Sequence, residues 1–380
     1  MSYEEYYTYG FLSAIHIMAG LQGAVLAAIL LFKKSLATRS NRFLAMALVG
    51  ASIIVCYDFF YYSYQEEELP LLILYAPIYI RTAIPIGLYF FVQLLIEPKG
   101  PMNRWERLWY LPILLEVVTE LTYIPLNLFL IENTIDSAEH FLLIVEESIG
   151  LLTGIVLPIL AIQKINQYEK FLRNNYSSIS GKSLRWLRNL MTTALVIMII
   201  WLLSHFQFIL GYENDGTYTF VSLGLILFLF GMGYFVILQY PLFGVVPFED
   251  PKTNDSMSKK LSPKTEEYHQ RLLTLMDDES VYSDAELTLS TLAEKLAISP
   301  GYLSQIINEK ENKNFFEFVN RYRINSAKIK LVNADYNQYS IMGIALESGF
   351  KSKSTFNALF KKYTGQTPSS FKKHFGSPDA

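Results

Sequence analysis

The sequence predicts an all-α protein: a seven-helix transmembrane bundle followed by a cytoplasmic all-helical domain with two helix-turn-helix units. Three observations carry this prediction. Seven apolar stretches are each long enough to cross a bilayer. The loops between them alternate strictly in charge. The last quarter of the chain twice repeats a pattern of capped short helices.

Composition sets the outer limits. The chain has 380 residues, 51% hydrophobic and 18% charged, with a net charge of −3 and one cysteine, Cys56. It is too apolar for a disordered chain and too poor in glycine for a collagen. A single cysteine excludes a disulfide scaffold and a Cys-rich zinc module.

The apolar stretches lie at about 10–32, 43–63, 70–96, 108–131, 141–163, 190–212 and 217–240, each near the roughly 20 residues that a bilayer requires. The first reads as a true span rather than a cleaved signal, because its flank is acidic (Glu4, Glu5) and six more spans follow. Lys33, Lys34, Arg39 and Arg42 follow the first span. Lys99, Arg104 and Arg107 follow the third, and Lys164, Lys170, Arg173, Lys182, Arg185 and Arg188 follow the fifth. The other loops carry Glu66, Glu67, Glu68, Glu132, Asp136, Glu139, Glu213 and Asp215 with no Lys or Arg. Basic loops stay cytoplasmic, so the N-terminus is expected outside and everything after residue 240 inside. The expected arrangement is therefore a multi-pass membrane protein, with the lipid bilayer as a partner.

Residues 241–263 hold Pro241, Pro247, Pro251 and Pro263 among polar residues, and read as a linker. Residues 264–278 form an amphipathic connecting helix, and 279–376 a separate domain. In that domain Thr288 or Ser290 caps a helix bearing Leu292, Ala293 and Leu296. Ser299 and Pro300 restart the chain as a second helix with Leu303, Ile306 and Ile307 inward. Ser340 caps the next helix, with Ile344 and Ala345 at the contact, and Gly349 ends it. Ser352 or Ser354 caps its partner, which carries Phe356, Leu359 and Phe360 inward. Thr367 and Pro368 start a last helix. Between the pairs runs one helix of about 19 residues, roughly 28 Å long. Two major grooves on one face of a duplex lie about 34 Å apart, which such a connector suits.

The runs LAEKLAISPGYLSQIINE, FVNRYRINSAKIKL and IALESGFKSKSTFNALFKKYTGQTPSSFK resemble the DNA-binding domain of the AraC/XylS family of bacterial transcription regulators. The resemblance covers about a quarter of the chain. It implies a domain that reads double-stranded DNA through both second helices. Tyr302, Ser304 and Gln305 match base-facing positions of the first unit, and Lys353, Ser354 and Asn357 those of the second. Lys310, Lys351, Lys361 and Lys362 are the phosphate-contacting candidates. Ala297 stands where the family usually has Gly, and Gln305 where many members have Arg. The whole plan resembles the membrane-bound type of this family. The expected function is a membrane-bound one-component regulator, with RNA polymerase and a second copy of the chain as further partners.

Charge agrees with nucleic-acid binding. Residues 288–380 carry 13 Lys and Arg against 7 Asp and Glu, while the rest of the chain is acidic. Inside the spans lie His16, Asp58, Arg81, Glu116, Glu120, Glu146, Glu147 and His205. Ionisable groups at such depth are costly and face the bundle interior. They read either as a polar cavity for a small-molecule or envelope signal, or as an internally satisfied network that sets helix packing. A constitutive tethered regulator with no ligand is the alternative. Catalysis is not expected. Glu146 and Glu147 are not followed by the Arg of an EE-x-x-x-R metalloprotease motif, since residue 151 is Leu, and no GxSxG, HExxH or P-loop occurs. The last span lacks a lysine for a Schiff base, and no internal repeat marks a transporter. No cofactor and no metal site are expected.

Overall fold

A computed structural model describes residues 3–63, 81–98, 107–129, 135–210, 215–238 and 264–375. The described residues are helical throughout, apart from turns and one isolated antiparallel bridge between Tyr176 and Thr288. They divide into two compact units, one of residues 1–166 and 184–247, the other of 167–183 and 248–380.

The first unit holds α1 (Tyr3–Phe32), α2 (Arg39–Ser63), α3 (Ala83–Ile96), α4 (Leu111–Phe129), most of α5 (Ile135–Asn175), α6 (Arg185–Ile209) and α7 (Asp215–Leu238). Four stretches in these helices are long and apolar enough to cross a membrane: Ser13–Phe32, Arg39–Tyr57, Ile144–Asn175 and Arg185–Gln207. Three shorter apolar helices, Ala83–Ile96, Leu108–Thr119 and Val221–Phe235, fall within the third, fourth and seventh predicted spans. The start of the third predicted span, residues 70–80, lies outside the described residues.

Several helices begin a few residues before the predicted spans, and the end of the fifth differs by more. The fifth helix continues past 163 to Asn175, about three turns into what reads as a loop. The segment Gln163–Asn175 is polar, but it contains no Gly or Pro and is rich in good helix formers. Polarity marks the end of the apolar stretch without ending the helix.

Packing between α2 and α3 is close. A Cβ on Gly87 would lie 2.6 Å from the Phe43 carbonyl oxygen, so only glycine lets these backbones approach. Phe90 of α3 then sits against Phe43 and stacks on Tyr110 at 5.8 Å. The outer faces are apolar at helical spacing. Val196, Ile199, Leu203 and Phe206 of α6 are exposed, as are Met18, Leu21 and Val25 of α1.

The second unit contains α8 (Thr265–Asp277), α9 (Leu289–Lys295), α10 (Pro300–Glu311), α11 (Phe315–Val332), α12 (Ile341–Glu347), α13 (Lys353–Thr364) and α14 (Pro368–Phe375). Short-range chemistry sets their ends. Thr288 caps α9 in a capping box with Thr291, Ser299 caps α10, Asn314 caps α11, Ser340 caps α12 and Ser352 caps α13. Each cap satisfies a backbone N–H that the first turn leaves open. Gly349 follows α12 with φ +89, as its position at the helix end predicts. Ala297, between α9 and α10, has φ 57, the left-handed region that an alanine enters at a cost of about 1–2 kcal/mol.

Two apolar cores lie along α11. Phe315, Phe318 and Val319 join Leu272 and Met276 of α8 with residues of α9 and α10. Ile324, Ala327 and Leu331 join Ile344, Ala345, Phe350, Phe356 and Phe360. α11 is thus the shared wall of two helix pairs, and α8 is a packed element of the first.

Candidate nucleic-acid interface and a buried polar cluster

In the second unit, the second helix of each pair turns its apolar residues inward and its polar residues out. On α10, Leu303, Ile306 and Ile307 are buried. Ser304 and Gln305 are half-buried, with Gln305 Nε2 donating to Glu309 at 2.9 Å and Asn308 Nδ2 donating to Ser304 Oγ at 3.4 Å. Tyr302 is held differently. Its hydroxyl is hydrogen-bonded to Thr265 of α8 at 2.8 Å, and its ring meets Tyr268 edge-on. α8 also engages Lys310, whose Nζ donates to Glu266 at 2.7 Å. That hydrogen bond, with another from Gln270, holds the Glu266 carboxyl at about 2, well below the usual 4.5. Sequence reasoning places Tyr302 and Lys310 on the outer face of α10 but does not reveal that α8 reaches both.

On α13, Phe356 and Phe360 are buried, while Lys353, Ser354 and Lys361 are exposed and Asn357 half-buried beside them. Lys351 pairs with Glu286 from the turn before α9, and Lys362 lies 3.9 Å from Glu317 of α11. Lys353, Lys361 and Lys362 at both ends of α13 leave its outer surface basic.

Arg323 is the largest fully buried side chain among the described residues. It donates through Nε to the Tyr282 carbonyl at 2.8 Å and through Nη2 to the Asp284 carbonyl at 2.8 Å. Nη1 and Nη2 also reach the carbonyl and hydroxyl of Ser177 at 3.1 and 2.9 Å. Burial lowers its pKa to about 10. Counted by sequence as one more basic residue of a DNA-binding surface, it is internal.

In the first unit, several of the ionisable candidates converge. Arg81 and Glu147 line a cavity of about 190 Å³ whose wall is otherwise mostly apolar, with Pro85, Gly150, Trp201 and Ser222. His205 Nδ1 donates to Glu147 at 2.5 Å, and its Nε2 lies 3.2 Å from Ser148 Oγ. His16 Nε2 is hydrogen-bonded to Ser222 Oγ at 2.7 Å. Glu116 is buried at the N-terminus of α3, where its carboxylate accepts from the Thr82 N–H at 3.1 Å and the Thr82 hydroxyl at 2.5 Å. A carboxylate there faces the positive end of the helix dipole. The sequence places Glu116 among the ionisable residues of the spans but does not reveal Thr82 as its partner. Glu146 is buried. The side chains of Asp58 and Glu120 lie outside the described residues.

Comparison with known proteins bears on the second unit. Residues 292–374 match a family model described as a helix-turn-helix domain. An uncharacterized HTH-type transcriptional regulator of Staphylococcus aureus (strain COL) is 33% identical over 118 residues, which are 29% of this chain and 15% of that protein. The HTH-type transcriptional regulator YtdP of Bacillus subtilis is 29% identical over 125 residues, 33% of this chain and 15% of YtdP. Among solved structures, the C-terminal domain of AraT, a response regulator from Geobacillus stearothermophilus, is 27% identical over 30% of this chain and 88% of that chain, with a TM-score of 0.25. The chain spans about one seventh of the curated relatives' length, so the likeness is confined to this region. Residues 292–374 are thus similar to the helix-turn-helix domains of HTH-type transcriptional regulators, which supports DNA-binding transcription regulation.

Proposed function

We propose that the protein is a membrane-bound one-component transcription regulator whose α10 and α13 enter successive major grooves of duplex DNA. The outer surface of α13 carries this reading. Lys353, Ser354, Asn357 and Lys361 face away from a core that holds the helix by Phe356 and Phe360. Arg, Lys, Ser and Asn side chains on such a helix reach base edges and phosphates. The excess of Lys and Arg over Asp and Glu after residue 288 supports it.

The bilayer is the environment that fits the first unit. Four described helices meet the length and apolarity of a span, and the exposed stripes on α1 and α6 are apolar at i, i+3 and i+7. In this reading the N-terminus is outside and the second unit is cytoplasmic. RNA polymerase and a second copy of the chain are its further partners.

The test is genome-wide mapping of DNA bound by the protein in intact cells, followed by a salt titration on an enriched site. Enriched sites are expected, with affinity falling steeply as salt rises because phosphate contacts release counterions. An absence of enriched sites in every growth condition, or a salt-independent affinity, contradicts the reading.

A signal is read in the first unit, at the cavity lined by Arg81 and Glu147. Its mostly apolar lining with Arg81, Glu147 and Ser222 fits a small apolar-bodied ligand with a polar head. Ligand-driven change requires different affinity for two states of the protein. Arg81→Ala and Glu147→Gln are expected to insert normally and still occupy DNA while losing the condition-dependence of that occupancy. Unchanged dependence in both variants returns the protein to a constitutive tether.

A further inference from the structure

One face of α11 is devoted to neither apolar core. Phe316, Asn320 and Arg323, spaced i, i+4 and i+7, are all buried. They meet residues 173–177, the last turn of α5 and the two residues after it. The Arg173 guanidinium lies 5.5 Å from the centre of the Phe316 ring. Asn320 Nδ2 donates to the Ser177 carbonyl at 2.9 Å, and Arg323 fills the same carbonyl and the Ser177 hydroxyl.

Ser177 is held from its other side as well. Its N–H and its hydroxyl donate to the Leu287 carbonyl at 3.3 and 2.6 Å. Its neighbour Tyr176 bridges Thr288, the residue that caps α9. On the far edge of Arg323 stand the carbonyls of Tyr282 and Asp284. The end of α12 closes over the same group, since a Cβ on Gly349 would lie 2.9 Å from Arg323 Nε and 2.5 Å from the Tyr282 carbonyl oxygen. One guanidinium therefore touches the segment before α9, the turn after α12 and the 167–183 segment together.

We propose that residues 167–183 are a docking element for the helix-turn-helix domain, and that seating Ser177 on Asn320 and Arg323 fixes the two helix pairs in the setting that binds DNA. The proposal rests on the DNA-binding reading above. A buried donor that loses its acceptor is costly. With Ser177 withdrawn, Arg323 Nη1 loses the Ser177 carbonyl, and the strand-like pairing ahead of α9 goes with it. The first pair is then less firmly held to the second. A pre-set pair of recognition helices binds with less ordering cost than a loose one. The segment begins within the last turns of α5, so displacement of α5 has a route to the DNA-binding helices that does not pass through residues 239–263.

The test uses the full chain in lipid nanodiscs. Ser177→Pro removes the N–H and the hydroxyl. Ser177→Ala removes only the hydroxyl, so it keeps the fold and serves as the milder variant. Hydrogen exchange is read in peptides covering 282–290 and 316–324, and affinity is read against a pool of genomic duplex fragments at fixed salt. The expected result is faster exchange in both peptides and about tenfold weaker binding for Ser177→Pro, with Ser177→Ala between it and the native protein. Unchanged exchange in Ser177→Pro overturns the docking. Faster exchange with equal or tighter DNA binding overturns its role in setting the helix pairs. If the native protein binds no duplex fragment, the DNA-binding reading fails and takes that role with it, while exchange alone still decides whether the segment docks.

Discussion

The guanidinium of Arg323 is hydrogen-bonded to Ser177, 146 residues earlier in the chain. Both residues are 1% exposed. Arginine suits the place because its planar fork offers donors along several edges at once. Here those edges serve three carbonyls and one hydroxyl.

Arg323→Met and Arg323→Lys are both expected to destabilise the second unit. Neither replacement can serve all four acceptors, and the loss is about 2–4 kcal/mol, reduced for Met by removal of a buried charge. Urea titration followed by exchange in residues 264–375 measures it. Equal stability of Arg323→Lys and the native protein contradicts the role assigned to the fork.

Ala297→Gly is expected to stabilise the second unit. The φ of 57 is strained for alanine and free for glycine. Relief of about 1–2 kcal/mol is partly offset by the greater freedom of glycine in the unfolded chain, leaving about 0.5–1 kcal/mol. The midpoint of thermal unfolding reports the sign directly.

Gln305→Arg is expected to change base preference rather than overall affinity. Glutamine pairs with adenine and arginine with guanine, a difference of about 1–3 kcal/mol at one position. Selection from a randomised duplex library reads it. A uniform rise in affinity with no altered position marks Gln305 as a phosphate contact instead.

Acid is expected to loosen α8 from α10. The folded Glu266 carboxyl sits at about 2, below its ordinary 4.5, because Lys310 and Gln270 hydrogen-bond it and the Lys310 charge is near. A carboxylate lowered in this way supports the fold above pH 4.5, and that support is lost as the pH falls from there toward 2. Glu266→Gln removes this part of the pH dependence. Because the group is exposed, added salt diminishes it too. Exchange in residues 265–277 against pH, at low and high salt, separates these effects.

Much of the second unit was legible because its signals are local. A Ser or Thr three residues before an open N–H, a Pro in the first turn and a Gly after the last are neighbours in sequence, and Ser299, Ser340, Ser352 and Gly349 act as their positions predict. The same holds for the inward stripes of α10 and α13. What was missed is long-range. Thr265 and Glu266 reach Tyr302 and Lys310 from a separate helix, and Ser177 meets Arg323 through its backbone carbonyl as well as its hydroxyl, the carbonyl leaving no trace in residue identity. One signal was present. Arg323 lies next to Ile324 and four residues before Ala327, on the stripe that α11 buries. In the first unit the clustering of Glu147 with His205, and of His16 with Ser222, needed the packing of helices far apart in sequence.

The seating of Ser177 also changes what a break in the backbone means. Residues 239–263 include Lys252, Lys259 and Lys260, each a trypsin site. A cut there leaves α8–α14 as a separate polypeptide, but the Tyr176–Ser177 segment belongs to the other fragment and remains hydrogen-bonded to Leu287, Asn320 and Arg323. The two pieces are expected to remain a non-covalent complex after such a cut, co-migrating on gel filtration until Ser177 is displaced.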